Sequence, residues 1–80
     1  MKRWTLYILE CADGSLYTGI TTDVEKRLKC HGAGKASKYT RAKLPVRLVY
    51  KKALKSESAA KKEEARIKSL SRKEKLLLLA

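Results

Sequence analysis

Tyr7, Tyr17, Arg27 and His31 bring phenol, guanidinium and imidazole groups together in the first half of the chain. No Ser-His-Asp set and no Cys-x-x-Cys pair accompanies them, so the chemistry on offer is of another kind. Arg27 and His31 are four residues apart and, on a helix, lie one turn from each other and can face one ligand. A planar, permanently charged guanidinium matches phosphate oxygens. Hydrolysis of a phosphodiester needs a nucleophile, a cation near the non-bridging oxygens and stabilisation of the leaving oxygen. Tyrosine is a poor base at its ordinary pKa of about 10, but a nearby cation favours the phenolate. His31, close to the end of its helix, is expected to be favoured in its protonated form by the helix dipole.

These side chains meet only if the flanking elements bring them onto one surface. Residues 4–10 read as a strand rich in aromatic and aliphatic types, and residues 15–20 as a second, with Ala12-Asp13-Gly14 as the turn between them. The loop length decides the outcome. A two-residue turn would put Tyr7 and Tyr17 on opposite faces, because side chains alternate along each strand. A three-residue loop, with Gly14 in the left-handed position, pairs Cys11 with Ser15 and sets Tyr7 across from Gly19 and beside Tyr17. The three-residue loop is the expectation, and it makes Gly19 the gap that lets Tyr7 and a ligand approach the sheet.

Thr22 with Glu25 reads as a capping box opening a helix over residues 23–31, ended by Gly32 and Gly34. Val24, Leu28 and His31 share one stripe of it, with Arg27 alongside. A basic loop over residues 35–43 follows, with a short helix expected at Lys38-Tyr39-Thr40-Arg41. Pro45 introduces a third strand over residues 46–52. Ser56 or Ser58 caps a helix reaching about Leu70, and Ser71 with Glu74 forms a capping box for a last short helix to Leu79. The pattern predicts one α+β domain over residues 1–80, a layer structure in the order β-β-α-(α)-β-α-α.

The charge is as informative as the motifs. Twenty Lys and Arg against eight Asp and Glu give a net charge of +12. Between Lys26 and Lys55 there are eleven basic residues and no acidic one. A surface of one sign attracts polyanions, nucleic acid foremost. Lys35, Lys38, Arg41, Lys43 and Arg47 are expected to contact phosphates, giving salt-dependent affinity with little base preference. Tyr39 either stacks on an unpaired base or anchors its own loop. DNA is the expected partner, with RNA open as a second target, and a monomer is the expected state. Two cysteines, Cys11 and Cys30, make no disulfide framework, and no signal peptide is evident. The longest apolar run, residues 76–80, is far too short to span a bilayer. The cytoplasm, with both thiols reduced, is the expected location.

Taken in order, these residues resemble the GIY-YIG nuclease family, and within it the small stand-alone bacterial UPF0213 branch. Thr5-Leu6-Tyr7 stands where the family has its first tripeptide and Tyr17-Thr18-Gly19 where it has the second. Arg27 and His31 match its Arg-x-x-x-His helix, and Glu64, ahead of Ile67-Lys68, matches its metal-binding glutamate. The Lys38-Tyr39-Thr40-Arg41 and Pro45-Val46-Arg47-Leu48-Val49-Tyr50 stretches are similar to the branch in particular. The resemblance implies a three-stranded antiparallel sheet flanked by helices. It also implies hydrolysis of one DNA strand with one Mg²⁺ or Mn²⁺ ion held by Glu64. Tyr17 would activate the attacking water with Tyr7 or His31 assisting, and Arg27 would hold the scissile phosphate. Projection of the helix that reaches about Leu70 puts Glu63 at the centre of its core stripe and Glu64 on the flank, so the choice of Glu64 comes from the resemblance. The family's nucleases usually carry a late asparagine and some carry a lysine after the second tyrosine. This chain has no asparagine and has Ile20 at the second position. A nucleic-acid-binding module with weak or absent catalysis is therefore the rival expectation.

Overall fold

Strand β1 (Trp4–Glu10) is the middle strand of a three-stranded antiparallel sheet, flanked by β2 (Leu16–Thr21) and β3 (Arg47–Leu54) in the order β2-β1-β3. Helices α1 (Val24–Gly32) and α2 (Lys38–Arg41) connect β2 to β3, and α3 (Glu57–Lys68) and α4 (Arg72–Leu79) follow. This is the expected α+β order. The computed structural model describes residues 3–79; the last residue of the apolar run, Ala80, lies outside them. Among the described residues no helix is long and apolar enough to cross a membrane.

The hairpin has the three-residue loop. The Cys11 N–H donates to the Ser15 carbonyl at 2.8 Å, the Gly14 N–H donates to the Cys11 carbonyl at 2.9 Å, and Gly14 has φ 84°. The register that results pairs Tyr7 with Gly19 and Leu9 with Tyr17. A Cβ on Gly19 would stand 2.5 Å from the Tyr7 hydroxyl, so the tyrosine lies flat across a position that only glycine leaves open.

Alternation along β1 divides the molecule into two layers. Leu6 and Ile8 point to one face, where they pack with Ile67 of α3, all three without exposed surface, and Leu70, Leu78 and Leu79 close around them. Tyr7 and Leu9 point to the other face, where His31 of α1 and Thr40 of α2 are also fully buried. One strand therefore serves an apolar layer and a polar layer at once.

Several boundaries differ from the sequence reading. Asp23, not Thr22, caps α1: its carboxylate accepts the Lys26 N–H at 3.1 Å, while the Thr21 hydroxyl accepts the Asp23 N–H at 3.1 Å. Asp is as good a cap as Thr, and the Thr21 turn moves the first helical residue on by one. Strand β3 runs from Arg47 to Leu54 because β1 pairs with it as far as Trp4–Leu54. Ser56 rather than Ser58 caps α3, accepting the Ala59 N–H at 3.1 Å, and α3 ends at Lys68. The Ser71–Glu74 capping box forms in both directions, at 3.1 and 3.2 Å.

Candidate active site

The polar face holds a chain of hydrogen bonds that begins on the sheet and ends on a backbone carbonyl. The Tyr7 hydroxyl lies 3.0 Å from His31 Nε2. The other ring nitrogen, Nδ1, lies 2.8 Å from Thr40 Oγ1, and Thr40 Oγ1 donates to the Ser37 carbonyl at 3.3 Å. Tyr17 packs edge-on against His31 at 5.2 Å between ring centroids and sits 6.4 Å from Tyr7. Its other side stacks on Tyr39 at 5.9 Å. Each element contributes what its local sequence allows. The hairpin register brings the two tyrosines to one face, and the length of α1 carries His31 over them. Gly34, with φ 75°, turns the chain so that α2 can return with Thr40.

The electrostatics follow from burial. Tyr7 is pushed up to about 12, first by burial, then by the neighbouring Tyr17; Arg27 opposes the shift and Glu64 adds slightly to it. His31 lies below its ordinary value, because burial penalises the imidazolium and the Arg27 guanidinium repels it. This corrects the expectation of a protonated His31. The helix dipole is worth at most a kcal/mol or so at an exposed terminus, whereas this ring is fully buried and the Arg27 charge that acts on it has the same sign.

Tyr7, Tyr17 and His31 are thus in contact, and the charges of Arg27, from one layer, and Glu64, from the other, both act on Tyr7. Glu63 and Glu64 stand as the helix projection implies. The Glu63 side chain is 12% exposed and ties Lys52 and Arg66. The Glu64 side chain is 23% exposed and pairs with Lys68 at 3.3 Å. Among the described residues no three His, Cys, Asp or Glu side chains gather into a group that could hold a metal. Glu64 alone suits a hard divalent ion completed by waters and phosphate oxygens, and does not suit a closed protein centre. Cys30 beside His31 makes no ligand pair, since both imidazole nitrogens are occupied by Tyr7 and Thr40.

The basic residues divide into two groups. Lys35, Lys38 and Arg41 line a shallow concavity of about 190 Å³ beside α2. Lys43 is engaged within the protein: it pairs with Asp13 at 3.1 Å, donates to Ser15 Oγ at 3.4 Å and lies 4.1 Å above the Tyr39 ring. Arg47 pairs with Glu10 at 2.7 Å. Tyr39, 42% exposed, is both a loop anchor against Tyr17 and an open aromatic face. The sequence reading missed Thr40 as the partner of His31, and missed Asp13 and Ser15 as the hairpin groups that hold Lys43. Ser37 and Thr40, the two hydroxyl residues of small side chain in the basic run over residues 35–43, were the available signal for the first.

Fold and site together define a nuclease-type scaffold, and the comparisons agree. Residues 3–76 match the GIY-YIG catalytic domain, and the chain belongs to the GIY-YIG family. Within that family it groups with the UPF0213 proteins. It is 54% identical over 71 residues to the UPF0213 protein of Streptococcus agalactiae serotype V, covering 89% of this chain and 81% of the relative. It is 47% identical over 79 residues to that of Staphylococcus haemolyticus, covering 99% and 96%. The solution NMR structure of the UPF0213 protein BH0048 from Bacillus halodurans superposes with a TM-score of 0.63 at 49% identity, covering 96% of this chain and 82% of that one.

Proposed function

We propose that this protein is a divalent-metal-dependent DNA endonuclease that hydrolyses one strand, directed to DNA structure or damage in repair or recombination, and acts in the cytoplasm as a monomer. The observation that carries the reading is the contact of buried Tyr7 and His31 with half-buried Tyr17, with the charges of Arg27 and Glu64 both acting on Tyr7. In this reading Arg27 holds the scissile phosphate and opposes the charge it gains. Tyr17, the less buried of the two tyrosines, orients the attacking water, with Tyr7 and His31 behind it as proton acceptors. Glu64 holds Mg²⁺ or Mn²⁺, which supplies Lewis-acid stabilisation of phosphate charge. Lys35, Lys38, Arg41, Lys43 and Arg47 bind backbone phosphates, the last two from positions where each also pairs with a carboxylate. Such contacts predict strong salt dependence and little sequence preference, and they apply to RNA as well as DNA.

The test is nicking of end-labelled single-stranded, nicked, flap and branched DNAs with Mn²⁺ or with EDTA. Metal-dependent cleavage should fall by about 100-fold or more in Tyr17→Phe, Arg27→Ala and Glu64→Ala, with folding intact. Unchanged nicking by all three folded variants sinks the proposal. A second reading, a nucleic-acid-binding module, is favoured by one observation: Glu64, the carboxylate assigned to the metal, is paired with Lys68. It predicts metal-independent, salt-sensitive binding that is the same in Glu64→Ala and is not followed by cleavage.

A further inference from the structure

We propose that Thr40 is a positioning residue: its hydroxyl accepts the His31 Nδ1–H and so fixes the neutral tautomer whose Nε2 lone pair faces the Tyr7 hydroxyl. The inference deepens the proposed nuclease reading and rests on it only for its catalytic consequence. The direction of the network is set at its far end. The Ser37 carbonyl can only accept, and it takes the Arg41 N–H at 2.9 Å as well; with the one hydrogen of Thr40 Oγ1 directed to it at 3.3 Å, a lone pair is left for His31 Nδ1 at 2.8 Å. Nδ1 must then carry the proton, and Nε2, 3.0 Å from Tyr7 Oη, must accept. The opposite tautomer would turn both bonds round. Thr40 would abandon the Ser37 carbonyl, and the Tyr7 O–H would lose its acceptor inside a side chain that is only 3% exposed. An unpaired buried hydroxyl of that kind costs about 1–3 kcal/mol, enough to settle a tautomeric choice that is otherwise nearly even.

The consequence is a proton path with a defined end. When Tyr7 Oη takes a proton from the water side, its own proton passes to Nε2. The phenol is regenerated, and the imidazolium keeps both N–H groups paired, Nε2 on Tyr7 and Nδ1 on Thr40. The hydroxide left behind forms the new bond to phosphorus. The bond from phosphorus to the leaving sugar oxygen breaks with its electron pair, and that oxygen takes a proton from solvent.

The chain contains one histidine, so a long-range ¹H–¹⁵N spectrum reads this ring alone. In the unmodified protein at neutral pH the signature should be Nδ1 protonated and Nε2 bare. Thr40→Val should mix in the other tautomer, and Thr40→Ser should restore the original pattern. Nicking should fall at least about tenfold in Thr40→Val and recover to within about twofold in Thr40→Ser. A bare Nδ1 in the unmodified protein, or an unchanged spectrum in folded Thr40→Val, overturns the assignment without recourse to activity. The expected spectra in a protein that nicks no DNA uphold the assignment and sink the nuclease reading instead. Nicking that Thr40→Val leaves untouched overturns the positioning role and leaves the nuclease reading standing.

Discussion

The two faces of the sheet bury side chains to the same degree by different means. On the α3 face Leu6, Ile8 and Ile67 have no exposed surface and no need of partners; each contributes about 1.5–3 kcal/mol by leaving water. On the α1 face His31 and Thr40 are equally buried and Tyr7 nearly so, but their polar atoms are held in one continuous run of hydrogen bonds. The apolar face tolerates a defect that the polar face does not contain: Thr18, whose cross-strand partner is Ile8, has a buried hydroxyl oxygen with no hydrogen-bond partner. Stability is thus concentrated where shape and volume matter, and chemistry where donors and acceptors must match. The two layers share one strand, so they are coupled in position and separable by mutation.

The largest expected effect comes from breaking the apolar face. Ile67→Ala should cost about 2–5 kcal/mol and lower the thermal midpoint by roughly 10–30 °C. Nicking per folded molecule, measured well below that midpoint, should stay close to the unmodified value. A comparable loss of turnover in the folded fraction would show that the layers cannot be separated. Gly19→Ala attacks the other face and should cost less. The new Cβ, 2.5 Å from Tyr7 Oη, must push the ring away from His31, at a cost on the order of 1–3 kcal/mol. Nicking should fall by about 100-fold. A folded Gly19→Ala protein with wild-type turnover and an unaltered His31 spectrum would mean that Tyr7 has room the structure denies it.

How far this division could be read from sequence depends on the range of the interaction. The hairpin is local: Asp13 and Gly14 mark the turn and leave two loop lengths, and the three-residue one sets the register that places Tyr7 over Gly19 and beside Tyr17. The flank position of Glu64 was equally legible, since helical projection needs only the period, although its selection over Glu63 as metal ligand needed the family resemblance. What escaped were contacts that depend on how the chain returns. Thr40 meets His31 only because Gly34 turns α1 into α2, and Lys43 meets Asp13 only because the end of α2 comes back to the hairpin, where the Ala12 N–H donates to the Lys43 carbonyl at 2.9 Å. Those contacts give Lys43 and, through Glu10, Arg47 a carboxylate neighbour each, which a count of basic residues cannot foresee. The protonation state of His31 escaped for a related reason. Its place near a helix end is visible in sequence, but its complete burial is not.

The smallest expected effect sharpens the comparison most, because one chemical change should act with opposite signs on the two faces. Thr18→Val replaces an unpaired buried hydroxyl with a methyl of similar shape in a strand that favours β-branched residues. Removing a donor and acceptor that have no partner should be neutral or stabilising, by up to about 1 kcal/mol. The same substitution at Thr40 removes the acceptor of the His31 Nδ1–H and should destabilise by about 1–3 kcal/mol. Denaturant unfolding of both variants at one pH checks the pair, with equal slopes required so that the midpoints report stability. If Thr18→Val proves as damaging as Thr40→Val, its hydroxyl has a partner in solution, and the contrast between a packed face and a hydrogen-bonded face would have to be withdrawn.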